Sequence, residues 1–479
     1  MEPISQTSTA SILERFNNWI QESVMIKLFS IGFLVLILLI PSSWIQDLIY
    51  ERQTRANLVM NEVADKWSGS QTLSGPILVM PFKRHETIDR GKDGIEHVEV
   101  IDKAFFLPEA LNIIGEVKPE TLYRGIFDAV VYNSSLQVKS TFNKPDFKRL
   151  NIPSDMVLWN EAYMVFGITD LRGISDNPTF MVGNEKITAE PSNNIGVSVK
   201  KSARNSYNET TGNVEYLNDA SMATGITAKL NWENENSFNG DLAMKLNLKG
   251  SERLDFIPGG KTTEVQISGP WKDPSFDGEF TPASREITEN SFKAAWKVLH
   301  FNRPFSQQWI GDNQTLSAAD FGVKLLIPVD QYQKSIRTSK YGILVILLTF
   351  IALLLVEITQ KIRIHPFQYI LIGAALTIYY TLLLSLSEHL GYDIAYVIAS
   401  LATVALISMY AKTFLHTTGL TLLFAFLLLI FYTFIFVIIL QQDFSLLLGS
   451  IGLFIIIGML MYFSRKVKWY ANDKVVTRA

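Results

Sequence analysis

Residues 338–357 read TSKYGILVILLTFIALLLVE, and most of these residues are apolar. Its charged residues are Lys340, near the beginning, and Glu357, at the end. A run of about 20 residues that is almost free of charge is long enough to cross the hydrocarbon core of a bilayer as a helix. The stretch therefore predicts a membrane span with a polar boundary at each end.

Four further stretches of this kind follow it. Together they give five predicted spans, at 338–357, 367–386, 394–411, 419–440 and 444–463. Residues 341–463 contain seven charged side chains in 123 positions. So low a density of charge excludes an ordinary soluble domain for this region and predicts a bundle of membrane helices.

A sixth predicted span lies near the N-terminus, at residues 28–49. The run from Leu28 to Ile40 is apolar except for one serine and one glycine. A run this short is also typical of a signal peptide that is removed after export. We favour an uncleaved span because no A-x-A pattern follows, and because apolar residues continue at helical spacing from Ile45 to Val63. That spacing predicts one long helix that emerges from the membrane.

The distribution of Lys and Arg orients the spans. Ten basic residues lie in the tails and loops that would share one side of the membrane, namely 1–27, 358–366, 412–418 and 464–479. The alternate loops, 387–393 and 441–443, contain none. Short segments rich in Lys and Arg stay in the cytoplasm. We therefore predict a multi-pass membrane protein, embedded in the lipid bilayer, with both termini cytoplasmic.

Residues 50–337 form the large polar part of the chain. Apolar and polar residues alternate over 226–232 and again over 242–248. A period of two with one wet face is typical of antiparallel strands. We predict a β-rich, sandwich-like exported domain inserted between spans 1 and 2. Within it, the polar segment 191–219 is expected to be a long loop or a boundary between two subdomains.

The sequence contains no recognised catalytic or metal-binding motif. No two of its six histidines have the spacing of a zinc site, and there is no P-loop, no G-x-G-x-x-G before a helix and no G-x-S-x-G. Cysteine is absent, and a domain this long can bury enough core to do without disulfides. Basic residues beside aromatic ones at 465–470 fit a membrane interface better than nucleic acid. We therefore predict no enzyme activity, no cofactor, no metal and no nucleic-acid partner.

Four polar residues at the predicted membrane edges are candidates for a functional site. Glu357 ends the second span, Glu388 and His389 end the third, and Asp393 begins the fourth. Ionisable groups are costly at membrane depth and tend to mark a pathway or a packing contact. On the predicted topology the last three meet in a tight outer loop, where they could relay protons, bind a cation or dock the exported domain. The alternative is that all four are interfacial caps wetted by headgroup water.

Several strings in both parts of the chain follow a known pattern. They are Tyr123-Arg124-Gly125-Ile126-Phe127, Asp170-Leu171-Arg172-Gly173, His300-Phe301-Asn302-Arg303, Pro328-Val329-Asp330-Gln331-Tyr332, His365-Pro366-Phe367-Gln368-Tyr369 and Leu384-Ser385-Leu386-Ser387-Glu388-His389. With the order of one span, a large exported part and a cluster of spans, they resemble the CreD family of bacterial inner-membrane cell envelope integrity proteins. The resemblance implies a multi-pass protein of the bacterial inner (cytoplasmic) membrane, with both termini cytoplasmic and the large domain periplasmic. It also implies an envelope-stress role under two-component control, with altered sensitivity to bacteriocins and β-lactams. It implies no catalytic mechanism.

Three functions from different classes fit these observations. The first is a non-enzymatic envelope protein whose periplasmic domain senses or binds an envelope protein or a peptidoglycan or lipid component. The second is a transporter or channel for an envelope-related solute, which would need charged or broken helices within the bundle. The third is a membrane-embedded, envelope-modifying enzyme. We favour the first because the span centres are nearly free of charge and no catalytic constellation is recognisable.

Overall fold

A computed structural model gives the structure of the chain. It describes residues 24–89, 95–200, 204–208, 213–217, 220–222, 224–312, 314–316, 319–325, 331–360, 362–415, 417–441 and 444–464. The chain forms two compact units, of which one consists of Met1–Arg55 with Val329–Ala479 and the other of Ala56–Pro328. We call the first the helical unit and the second the β unit.

The α-helices of the described residues are α1 (Val24–Trp67), α2 (Gln331–Lys340), α3 (Gly342–Gln360), α4 (Pro366–Leu390), α5 (Tyr392–Leu415), α6 (Thr418–Leu440) and α7 (Ser445–Ser464). Short 3₁₀ helices occupy Lys148–Leu150, Ser154–Met156, Trp159–Glu161, Leu171–Gly173, Glu235–Ser237 and His300–Asn302.

Five stretches of helix are long and apolar enough to cross a membrane, within the residues that the structure describes. They are Lys27–Trp67, Gln331–Gln360, Pro366–Leu390, Tyr392–Leu415 and Thr418–Leu440. Of the six predicted spans, five therefore have a candidate helix among the described residues. The sixth predicted span, 444–463, coincides with α7, which is not among these five stretches.

The helix α1 is continuous over 44 residues and contains Pro41. The prediction of one long helix that continues beyond the first span is confirmed. Arg55 and Ala56, at the boundary of the two units, are consecutive residues of this helix. The same helix therefore contributes residues to both units.

The strands of the β unit are β1 (Gln71–Asp89), β2 (Ile95–Phe106), β3 (Ala110–Arg124), β4 (Phe127–Thr141), β5 (Tyr163–Ile168), β6 (Thr179–Val182), β7 (Glu185–Thr188), β8 (Glu190–Ser192), β9 (Val197–Lys200), β10 (Arg204–Asn208), β11 (Asn213–Leu217), β12 (Ala220–Met222), β13 (Gly225–Lys229), β14 (Asp241–Ser251), β15 (Arg253–Phe256), β16 (Thr262–Gly269), β17 (Pro274–Gly278), β18 (Ser284–Ile287), β19 (Phe292–Leu299), β20 (Gln308–Ile310), β21 (Gln314–Thr315) and β22 (Phe321–Leu325).

Two large sheets share one hydrophobic core. The first has the strand order β17-β22-β15-β1-β5-β13-β8, with β2 paired to β1 and β20 paired to β2. The second has the order β18-β19-β16-β3-β4-β14-β6-β7. Phe166 from the first sheet and Tyr132 and Trp296 from the second are buried in the common core. The predicted β-rich class of this region is confirmed.

The predicted alternation appears as a one-sided burial pattern. In β14, Leu242, Met244, Leu246 and Leu248 are buried, while the residues between them are exposed or half-buried. This strand pairs antiparallel with β4 along its whole length, from Asp241 opposite Thr141 to Ser251 opposite Val131. A register of this length is well specified because a slip by one residue would expose every buried side chain.

The segment 191–219, predicted as a long loop or a boundary between two subdomains, contains strands. Its described residues include β9, β10 and β11. The strand β9 pairs with both β12 and β21, and Val197 belongs to a second, smaller core with Phe105 and Trp309. Polar strands in small sheets lack the clear alternation that identifies a half-buried strand, so the composition of this segment was misleading.

Candidate functional site

The four predicted site residues lie in two separate places. Glu357 is near the end of α3 and accepts a hydrogen bond from Tyr369, at the beginning of α4. Glu388 and His389 are in the last turn of α4, 19 residues beyond Tyr369. At 1.5 Å per residue, this separates the two places by about 28 Å along the helix. Glu357 is therefore not part of one cluster with the other three.

Glu357 is the centre of a buried ion pair. Its side chain is 3% exposed, and Lys27 of α1 donates to Oε1 at 2.6 Å. The hydroxyl of Tyr369 donates to Oε2 at 3.1 Å. Both carboxylate oxygens therefore have a partner, as a buried charge requires. The arrangement joins α1, α3 and α4 through one residue.

Glu388, His389 and Asp393 flank a one-residue connection between α4 and α5. Gly391, with φ of 77°, closes α4 through its N–H and the carbonyl of Ser387. Glu388 and Asp393 each pair with α2 rather than with the exposed His389. Tyr332 donates to Glu388 Oε1 and Lys334 donates to Asp393 Oδ1, each at 3.3 Å, and Lys334 also lies over the ring of Tyr392. The two carboxylates therefore join α4 and α5 to α2.

His389 makes no hydrogen bond or ion pair with the described residues, and its side chain is exposed. The described residues also contain no group of three or more His, Asp or Glu side chains that could hold a metal ion. The carboxylate–imidazole–carboxylate arrangement considered from the sequence is therefore not assembled in this structure.

Buried tyrosines in α4, α5 and α6 form a cluster that was not predicted, consisting of Tyr379, Tyr380, Tyr392, Tyr396 and Tyr432. The ring centroid of Tyr379 lies 4.7 Å from that of Tyr432 and 6.0 Å from that of Tyr396. The hydroxyl of Tyr396 donates to the carbonyl of Tyr432 at 2.7 Å. The available signal was tyrosine recurring within predicted spans, rather than at the interfaces where it is usually enriched.

A further polar cluster lies in the β unit, directly after α1. Gln71 is buried, and its amide nitrogen lies 2.9 Å from Ser68 Oγ and 3.0 Å from the carbonyls of Asp170 and Lys249. Its amide oxygen accepts from the N–H of Asp170 at 3.1 Å. Gly173 is required beside it, because a Cβ there would lie 2.3 Å from the carbonyl oxygen of Lys249.

Asp170 and Arg172 complete this cluster. The carboxylate of Asp170 accepts from Gly69 N–H at 2.9 Å, from Arg172 N–H at 3.1 Å and from the Arg172 guanidinium at 2.6 and 2.9 Å. Burial alone would raise the pKa of Asp170, but the hydrogen bonds from Arg172 and Gly69 lower it to about 2. The carboxylate is therefore charged throughout the physiological range, and its partners stay fixed.

The sequence matches a known family over nearly its whole length. The profile of the family described as "Inner membrane protein CreD" matches residues 23–470. Inner membrane protein CreD of Escherichia coli (strain K12) is 31% identical over 450 residues, which cover 93% of this chain and 93% of that protein. The family resemblance inferred from the short strings is thereby confirmed, and the chain belongs to the CreD family of inner membrane proteins.

Proposed function

We propose that this chain is a non-enzymatic inner-membrane protein that supports cell envelope integrity or the envelope-stress response. In this proposal the β unit is periplasmic and senses or binds an envelope component, and the helical unit anchors it and receives its signal. The observation that carries the proposal is α1, a single helix whose residues belong to both units. Such a helix offers a direct physical connection between a binding domain and a membrane bundle.

The contacts in the helical unit support this proposal over transport. Glu357, Glu388 and Asp393 are each engaged by a partner on another helix. The tyrosine rings pack directly on one another, at centroid distances as short as 4.7 Å. Polar groups used in this way hold membrane helices together.

The proposal is tested by deleting the gene in its bacterial host and restoring it in trans. We expect the deletion to change sensitivity to β-lactams and bacteriocins, and the restored wild-type gene to return it to normal. An unchanged sensitivity across envelope-active agents would contradict the proposal. Solute flux through the purified chain in liposomes would instead support a transporter, and altered envelope lipid or glycan products would support an enzyme.

Glu357→Gln and Glu388→Gln are informative variants in this assay. Glu357→Gln leaves Lys27 beside a buried neutral amide, so we expect it to weaken complementation. Glu388→Gln keeps an acceptor for Tyr332 in a half-buried position, so we expect it to complement normally. Protein levels in the membrane, measured by immunoblot, separate loss of function from loss of the protein.

A further inference from the structure

The last turns of α1 are held by three different segments of the β unit. Arg124, at the end of β3, pairs with Glu62 at 2.7 Å. Arg172 donates from Nη1 to the carbonyl of Asp65 at 2.7 Å. Lys249 of β14 lies over the ring of Trp67, with 4.7 Å between Nζ and the centroid. We call these three cationic residues, Arg124, Arg172 and Lys249, the helix grip.

The helix grip lies at the C-terminal end of α1, where a positive charge is stabilising. The C-terminal end of a helix exposes unpaired carbonyls and carries a partial negative charge. Arg172 satisfies one of these carbonyls while its guanidinium is held by Asp170 through two hydrogen bonds. The residues that follow α1 are fixed as well, because Ser68 and Gly69 bond to Gln71 and Asp170. A displacement of these strands and loops would therefore displace the C-terminal end of α1.

In the helical unit, α1 has its own contacts. Lys27 pairs with Glu357 at 2.6 Å. Farther along, Leu38 packs on Gly373 of α4, where a Cβ would lie 2.3 Å from Leu38 Cδ1. The rest of α1 has little contact with the other helices. Of its most apolar 18 residues, 28% are buried, against 56% for the corresponding 18 residues of Gln331–Gln360. A helix with few packing contacts in the bundle can shift more easily than a central one.

We infer that α1 is the coupling element between binding and the membrane bundle: a change in the β unit acts on α1 through the helix grip and alters how α1 packs on α3 and α4. This inference rests on the proposed function for the nature of the signal, which would be the binding of an envelope component. The grip residues are positioning residues, since they act on the bundle through α1.

The absence of native cysteine allows a direct test in the full chain. Leu38→Cys and Gly373→Cys place two thiols where the Leu38 side chain already lies against Gly373, so an oxidant should join them in membrane vesicles. The rate of this disulfide formation reports the packing of α1 on α4. We expect Arg172→Ala to change the rate by about fivefold or more, the lower range of allosteric couplings.

A charge exchange makes the test specific. Arg124→Glu should change the rate of disulfide formation, and adding Glu62→Arg should restore it, because the pair is then reformed with opposite polarity. Arg285→Ala is the matched control: Arg285 is an exposed arginine on the edge strand β18, and we expect no change. Restoration in the double variant shows that the effect of the single variant comes from the lost ion pair.

Equal rates in the wild-type chain, Arg172→Ala and Arg124→Glu would overturn the coupling. This outcome is distinguishable from failure of the proposed function, because disulfide formation is measured without any envelope phenotype. Suppose that Arg172→Ala changes the rate of disulfide formation in vesicles but the deletion strain keeps an unchanged sensitivity. The coupling would then be retained and the envelope role rejected.

Discussion

Asp255 of β15 is a buried carboxyl group in the β unit, with 3% of its surface exposed. Burial raises its pKa to about 6, because the guanidinium of Arg253 only partly offsets the loss of hydration, and the nearby carboxylates of Asp320 and Asp277 oppose ionisation. The ordinary value is 3.8. The folded state therefore takes up this proton at a higher pH than the unfolded chain does. Its contribution to stability rises as the pH falls from about 6 to about 4 and is smallest above pH 6.

We predict that Asp255→Asn stabilises the β unit at pH 7 and has little effect near pH 4. A pKa raised by about two units corresponds to at most about 3 kcal/mol, and the loss of a partner for Arg253 reduces this gain. The free energy of unfolding is measured in urea on the full chain in detergent, with tryptophan emission as the signal, since Trp232 and Trp296 lie in the β core. Asp277→Asn, which changes an exposed carboxylate that also faces Arg253, should alter stability by less than about 0.5 kcal/mol. A lower stability of Asp255→Asn at pH 7 would show that the ion pair outweighs the desolvation.

Gln71 is a second residue whose replacement has a defined cost. Gln71→Leu would leave the N–H of Asp170 and the carbonyls of Asp170 and Lys249 without this partner inside the protein. We expect a loss of more than about 2 kcal/mol of unfolding free energy, because each abandoned buried group costs about 1–3 kcal/mol. The same urea titration measures it. Gln137→Leu on β4, where the side chain is exposed, is the control, and an equal effect of both variants would contradict the explanation.

The helices and strands that could be predicted from the sequence are those with a clear periodicity or a low density of charge. The alternation at 242–248 identifies β14, and the apolar spacing beyond the first span identifies the long α1. The strands within 191–219 were missed because their pairing with distant segments, such as β21 with β9, is invisible in a local pattern. The site was predicted only in part for the same reason. Glu357 was recognisable as an ionisable residue at a span end, but its partner Lys27 lies 330 positions away.

The contact between α1 and α4 gives a prediction for one pair of elements. Gly373→Leu should disrupt it, because even a Cβ at this position lies 2.3 Å from Leu38 Cδ1. Overpacking of this kind costs about 1–3 kcal/mol, so we expect a lower thermal stability of the chain in detergent. Adding Leu38→Ala should recover most of the loss. If Leu38→Ala and Gly373→Leu are instead additive, the two residues do not share a contact.

For the whole molecule, the order of spans determines on which side each part lies. Because the chain has no cysteine, single cysteines can be labelled without background. With an exported β unit, a membrane-impermeant maleimide added to intact spheroplasts should label Ser284→Cys of β18 and His389→Cys, both at exposed positions. Gln360→Cys, exposed at the end of α3, should react only after the membrane is opened. Labelling of Ser284→Cys and Gln360→Cys from the same side would contradict the predicted insertion.

The number of spans determines on which side of the membrane the C-terminus lies. If the five stretches cross the membrane and α7 does not, a cytoplasmic start to the first span leaves the C-terminus outside. If α7 also crosses, the C-terminus returns to the cytoplasm. We expect the second outcome, because Arg465, Lys466 and Lys468 directly follow α7, and basic residues at span ends stay cytoplasmic.

A C-terminal fusion should therefore be active with a reporter that works in the cytoplasm and silent with alkaline phosphatase. Replacing these three basic residues with glutamine should weaken this orientation, whereas phosphatase activity in the wild-type fusion would mean that α7 does not span the membrane.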